Sequence, residues 1–333
     1  MHMANELLSL PVAGGSLAVA AAGVGFVCRK ARRIITSDKL ALMGILGAFV
    51  FAAQMVNFPL PAMPGTSGHL VGSVLLAVVL GPHLAALAIC SVLIVQCLIF
   101  QDGGLLALGC NIINMGLVPC YLGYYLYQPI ARSYRSRTGT YIASLIACIF
   151  AAQAGAILVC LQTALSGVLV VPPATFLVTM SGVHLIIGAM EGLITAAVLG
   201  YLQHVRPDIG ADLPAGNAKF SKRALYATLA GFTVITAAGL SLLASELPDG
   251  LEWSYLHRPE EPGFESLIRN ESPVVAAVDT FQAKYSAMPD YTLRSAASTQ
   301  AAWTSFAGVA GSAATMALIW LTARLIRGRQ QTG

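Results

Sequence analysis

Nine apolar stretches of helical length run through the chain, at about residues 11–28, 40–57, 69–80, 83–100, 105–128, 141–166, 176–203, 222–244 and 303–324. A helix needs about 20 apolar residues to cross the hydrocarbon core of a bilayer. Runs of that kind from end to end predict an all-α integral membrane protein, a multi-span bundle and not a soluble domain on an anchor. Only 10% of the 333 residues are charged and 56% are hydrophobic, whereas soluble proteins carry about a quarter charged residues. The third stretch is short and ends at Gly81-Pro82, which suits a tilted or partly buried helix.

Charge orients the spans. With the N-terminus outside and the C-terminus in the cytoplasm, 15 of the 19 basic residues fall at inner ends and loops, among them Arg29, Lys30, Arg32, Arg33, Arg132, Arg135, Arg137, Arg324 and Arg327. The other four, Arg258, Arg269, Lys284 and Arg294, sit in the long loop 245–302, which crosses regardless of its charge. The first apolar run has its basic residues behind it and not in front, so it does not read as a secretory signal. Residues 1–203 form one bundle, the polar stretch 204–221 a cytoplasmic linker, and 222–333 a two-span unit around an extracytoplasmic loop. That loop carries nine of the fifteen acidic residues, including Glu260, Glu261 and Glu265. The seven cysteines have neither CxxC nor Cys/His spacing and read as small apolar packers.

The opening Met1-His2-Met3 supplies three nitrogens that can close two chelate rings on one metal ion: the α-amine of Met1, the amide of His2 and His2 Nδ1. Their near-planar arrangement leaves one corner of a square for a second imidazole. Square-planar nitrogen suits Ni(II) or Cu(II), and the need to deprotonate the ligands makes binding fall in acid. The chelate requires a free, untrimmed Met1; otherwise His2 is an ordinary residue near a start codon. A candidate for the fourth corner is His69, presented outside by Gly65-Thr66-Ser67-Gly68 after Pro59, Pro61 and Pro64. A helix-start histidine bonded to a loop carbonyl is the plainer alternative.

Gln96 and Asn114 fall on spans that must pack together, and buried amides need partners. They can hold an imidazole in one tautomer, or act as hydrogen-bond glue between helices. Asn111 shares the Asn114 face. In the seventh span His184 and Glu191 lie two turns apart on one face. An intramembrane carboxylate is a functional candidate, and a buried structural pair or a subunit anchor is the alternative. Small-residue faces (Ala18, Ala22, Gly25; Gly44, Gly47, Ala48) permit close helix contact.

These elements together resemble the substrate-binding membrane subunit of nickel/cobalt energy-coupling-factor (ECF) transporters. Met1-His2, FVFAAQMVNF at 49–58, GTSGHL at 65–70, LGP at 80–82, FQDGGLLALGCNIINMG at 100–116 and GVHLIIG..EGLIT at 182–195 carry the likeness over about residues 1–203. The tail, with PDGLEWS at 248–254, resembles the family's small auxiliary membrane subunit, here fused. The resemblance implies a seven-helix S-component-like bundle plus a two-helix membrane hairpin. It implies capture of Ni(II) or Co(II) by Met1, His2 and His69, with Gln96, Asn114 and His184 as possible supporting residues. Its partners would be a membrane scaffold (T-type) subunit and cytoplasmic ATPase subunits in a bacterial inner membrane. The chain has no GxxxxGK[ST] phosphate loop of its own, and it calls for no resident cofactor and no nucleic acid. The Asp-Gly turn usual after Met-His is replaced by Met3-Ala4-Asn5-Glu6, which leaves the path of the terminus open. A cobalt-specific subunit serving cobalamin synthesis is the nearest alternative. An intramembrane enzyme using His184 and Glu191 is a remote one, since no nucleophile stands beside them.

Overall fold

The computed structural model describes residues 1–206, 219–256, 258, 265–293 and 300–328. A 3-10 turn at Asn5–Leu7 leads into α1, Leu10–Ala31, which starts with Pro11 in its first turn, where a missing N–H costs nothing. Helix α2, Ser37–Gln54, is capped by the Thr36 side chain. Two short strands, β1 (Phe58–Pro59) and β2 (Ser67–Gly68), then pair antiparallel and fold the proline-rich loop back on itself. Helix α3, Ser73–Leu80, turns through Gly81 into α4, Pro82–Val95, which ends in a π turn at Gln96–Phe100. The rod that follows is α5 (Leu108–Asn111), a π turn at Ile112–Leu117 and α6 (Val118–Ser133). Two long helices, α7 (Arg137–Ser166) and α8 (Pro173–Val205), pack along each other. The C-terminal unit contributes α9 (Lys222–Ala238), α10 (Gly250–Tyr255), α11 (Pro273–Tyr285) and α12 (Gln300–Gly328).

Seven of the described helices are long and apolar enough to cross a membrane. Large apolar side chains stay exposed on their outer faces, among them Leu17, Phe150, Val178, Leu193, Val234 and Leu325. Lipid is the solvent that removes the penalty of such a surface. The Gly44-Gly47-Ala48 face of α2 is filled from within the chain: a Cβ on Gly47 would lie 2.4 Å from Ile319, and Ser312 on α12 donates to the Ala48 carbonyl. The Ala18-Ala22-Gly25 face of α1 is left exposed.

The third apolar stretch departs from the expected span over 69–80. Its helix has eight residues, about 12 Å at 1.5 Å per residue, too short to cross by itself. Leu70, Val71 and Gly72 enter the bundle as buried non-helical backbone. Such backbone is tolerated at membrane depth only where protein groups satisfy it. Glu191 on α8 accepts from the Val71 and Gly72 amides at 3.2 and 2.9 Å, and Gln54 at the end of α2 donates to the Val71 carbonyl at 2.7 Å. Gly72 holds φ +79° with the Val50 side chain against it, a left-handed position that suits glycine. The intramembrane carboxylate is therefore an anchor for the segment that follows His69.

A second device fixes α3. Pro119 has no N–H to give the Met115 carbonyl one turn back, and the helix widens into its π turn just upstream. The freed carbonyl accepts the Ser73 hydroxyl at the start of α3. Replacing Glu191 by Ala should lower stability by about 2–6 kcal/mol, since each of the two orphaned buried amides costs about 1–3 kcal/mol. A thermal midpoint in detergent matching wild type would refute the anchoring role.

Candidate functional site

At the end of the bundle where α1 begins and α2 and α4 end, a chain of amides connects the two histidine segments. Gln54 donates to the Val71 carbonyl, Gln96 donates to Gln54 Oε1 at 2.7 Å, and His2 Nε2 stands 3.1 Å from Gln96 Oε1. The polarity of this relay is dictated at one end. A carbonyl can only accept, so each glutamine must turn its NH2 toward Val71 and its oxygen toward His2. His2 Nε2 must then donate, so that in the neutral ring Nδ1 is the nitrogen with the lone pair. That is the nitrogen able to chelate together with the His2 amide. Nδ1 faces Asp102 Oδ1 at 3.1 Å, a pairing that attracts only with positive charge on the ring or between the two atoms. Burial pushes the His2 pKa down, with Asp102 pulling it partly back.

His69 is oriented in the complementary sense. Its Nδ1 lies 3.2 Å from the Leu70 carbonyl and donates to it, so Nε2 carries the lone pair and points 3.2 Å from the Met1 amine. The rings of His2 and His69 stack with centroids 5.4 Å apart. The amine also donates to Asp249 Oδ2 at 2.8 Å. Burial alone would raise the Asp249 pKa, but the Met1 ammonium and His69 hold it well below the usual carboxylate range. Met1, His2 and His69 thus meet at one point.

The terminus reaches that point along a path without the Asp-Gly turn. Asn111 clamps Met3 from both sides, accepting from its amide at 2.8 Å and donating to its carbonyl at 3.2 Å. The Gly104 amide donates to the same carbonyl at 2.8 Å. Asn5 takes over the anchoring, accepting from the Leu106 amide and donating to Asp279 of α11. The loop after α4 is held in turn by Gln282 of α11, which donates to the Gly103 carbonyl, and by Tyr291, which donates to Asp102. Gln101, Asp290 and Tyr291 all have φ between 50° and 59°, a conformation side chains other than glycine seldom adopt and which collects at functional sites.

Of the supporting residues expected from sequence, Gln96 bonds His2 directly. Asn114 does not touch an imidazole: it pairs reciprocally with Gln162 at 2.7 and 2.9 Å and donates to the Met3 sulfur. Helix face told the residue type but not which neighbour would claim it. His184 is buried, with Nδ1 bonded to the Met180 carbonyl and Nε2 without a hydrogen-bond partner. It lines a cavity of about 10 Å³ with Met1, His69 and Asp249, room for about one water. Glu191 bonds backbone and is no acid–base partner of His184. Asp102, Asn111, Gln54 and Asp249 were missed, although FQDGG, CNIIN and PDGLE carried the signal.

A wider cavity of about 320 Å³ opens beside His2 and His69, with Asp102, Asp249, Glu252, Asp279 and Asp290 among its lining residues. Glu265 is not among them, and Glu260 and Glu261 lie outside the described residues. Among the described residues no group of three or more His, Cys, Asp or Glu is arranged to hold a metal by side chains alone.

Residues 2–209 match the family described as the cobalt uptake substrate-specific transmembrane region, and residues 223–328 match the PDGLE domain. The chain belongs to the cobalt uptake substrate-specific transmembrane region family. It is 34% identical over 98% of its length to a putative fused nickel transport protein of Archaeoglobus fulgidus, 99% of which is covered. A probable fused nickel transport protein of Lactiplantibacillus plantarum is 32% identical, with 76% of this chain and 78% of that one covered. A crystal structure of a transition metal transporter superposes with TM-score 0.51 and 27% identity over 62% of this chain and 93% of that chain.

This cobalt uptake family member, with its fused PDGLE domain, is a membrane component of nickel or cobalt transport and not an enzyme. Its candidate site joins the two matched regions: His2 and His69 come from the first and Asp249 from the second. The relay makes a claim that needs no metal to check. In nitrogen-15 spectra of histidine-labelled protein at neutral pH, His2 Nε2 should carry a proton. Gln96→Leu should shift the His2 Nε2 signal while leaving the His69 signals in place.

Proposed function

We propose that this chain is the substrate-capture subunit of an ATP-driven importer of Ni(II) or Co(II). The ion is bound by the Met1 amine, the His2 amide and Nδ1, and His69 Nε2. The observation that carries the reading is the Met1 amine held 3.2 Å from His69 Nε2. The histidine that supplies the fourth nitrogen thereby sits against the terminus that supplies the other three. The ring orientations fit as well: His2 Nε2 bonds Gln96 and His69 Nδ1 bonds the Leu70 carbonyl, while the two nitrogens required face Asp102 and the Met1 amine, inside the site. Gln96 supports the chelate directly. Asn114 acts only through Met3, and His184 stands behind Met1 and His69 in the same small cavity.

Ni(II) is favoured over Co(II), because a planar nitrogen field and the general affinity order both rank it higher. Two fused relatives named for nickel point the same way. Hydrolysis of ATP belongs to separate cytoplasmic subunits joined through a membrane scaffold, for the chain carries no phosphate-binding loop. The distribution of basic residues supports a site on the outer face of the membrane with the C-terminus in the cytoplasm, and the family resemblance supports a bacterial inner membrane. Carboxylates around the wide cavity draw cations to its mouth, an attraction that salt weakens.

The test is metal content and affinity of the purified full-length chain, with the N-terminal peptide checked by mass for a free Met1. Wild type should hold one Ni(II) or Co(II). The variant His2→Ala keeps the free amine and His69 but removes the chelating imidazole, and should lose the ion. Equal binding by both proteins would sink the reading. A second measurement follows from ligand chemistry: the apparent affinity should fall with acid along a slope approaching about two protons per ion, one from the amine and one from the amide.

A further inference from the structure

Asp249 divides its carboxylate between two tasks. Oδ1 caps α10, accepting from the Leu251 and Glu252 amides at 2.8 and 2.9 Å. Oδ2 turns away from the helix, lying 2.8 Å from the Met1 amine and 3.8 Å from His69 Nε2. The second oxygen is not needed for the cap, and the Asp249 side chain is only 15% exposed. A buried carboxylate facing two candidate metal ligands is costly unless it meets positive charge.

Its position is set by contacts that involve no charge. The Ser67 amide donates to the Pro248 carbonyl and the Ser67 hydroxyl to the Leu247 carbonyl, each at 2.8 Å. The segment before Asp249 thus lies alongside the strand that presents His69. Gly250 seats itself on α8, where a Cβ would stand 2.5 Å from Val183 and 3.6 Å from His184. The C-terminal unit therefore delivers Asp249 to the terminus as a rigid group, and α10 cannot retreat without breaking both sets of contacts.

Charge bookkeeping across the loading step explains why one carboxylate suits both states. In the empty protein the Met1 ammonium brings a single positive charge. In the loaded one a divalent ion, a neutral amine and an ionised amide again sum to a single positive charge. We propose that Asp249 of the PDGLE segment is the fixed counter-charge of the metal site, holding the Met1 amine against His69 before loading and balancing the bound ion afterwards. The inference rests on the terminal-chelate reading above and assigns to the C-terminal unit a residue of the site itself. Asp249 acts here as a positioning residue through the amine, and its partner throughout is a cation: an ammonium first, a divalent transition metal next.

The experiment compares the purified full-length wild type, Asp249→Asn and His2→Ala. Asparagine caps helices as well as aspartate does, so the Asn variant removes the charge and keeps the α10 cap. Ni(II) affinity, read by competition with a coloured chelator, should fall at least about tenfold in Asp249→Asn, as expected when one partner of a buried charge pair is removed. In the metal-free protein the Met1 amine should acylate several-fold faster with an N-hydroxysuccinimide ester, while the thermal midpoint stays near wild type. Unchanged affinity and acylation in Asp249→Asn, with binding lost in His2→Ala, would overturn the counter-charge and leave the chelate standing. Binding retained in His2→Ala would overturn both. Should Asp249→Asn lower the thermal midpoint, Asp249→Glu decides: it keeps the charge with a poorer cap. Affinity near wild type then supports the proposal, and affinity as low as that of Asn refutes it.

Discussion

Three residues of unpaired backbone inside the bundle govern the rest of the site. Leu70, Val71 and Gly72 run non-helically through a buried region, where an unmet amide or carbonyl is heavily penalised. Glu191 and Gln54 meet that demand. The same demand sets the direction of the Gln54–Gln96 relay, and through it the tautomer of His2. A carbonyl on the segment that carries His69 thus decides which nitrogen of His2 stays free. Binding chemistry at the terminus is coupled to a helix-packing problem inside the bundle.

The C-terminal unit enters this arrangement as structural material. Its helix α12 fills the small-residue face of α2 and α9 packs on the same helix, while Gln282 and Tyr291 hold the loop that carries Asp102. Asp249 then reaches the Met1 amine. Positive φ at Gln101, Asp290 and Tyr291 places local strain where the two units meet around the wide cavity. Such strain persists only where surrounding contacts over-determine it. Here those contacts come from both matched regions of the chain.

How much was legible depends on what kind of interaction each residue makes. The membrane-spanning character follows from long apolar runs, because a bilayer sets the required length and composition. His2 and His69 stood out because imidazoles beside a chelating terminus and a glycine-rich loop have recognisable chemistry. Gln96 was readable as an amide that had to find a partner. Asn114 was readable in the same way, and its actual partner, Gln162, lies 48 positions away on another helix.

Sequence by itself determined the class of the fold, the location of the apolar helices and the residue types able to bind a transition metal. Those properties are local: they depend on periodicity, composition and covalent spacing. Tertiary structure alone decided that the third helix is preceded by buried non-helical backbone, that Glu191 secures that backbone and not His184, and that Asn111 guides the terminus. It also brought Asp249 to an amine 248 positions earlier in the chain. A hydrogen bond or an ion pair needs atoms within about 3 Å, and only packing brings residues so distant in sequence that close.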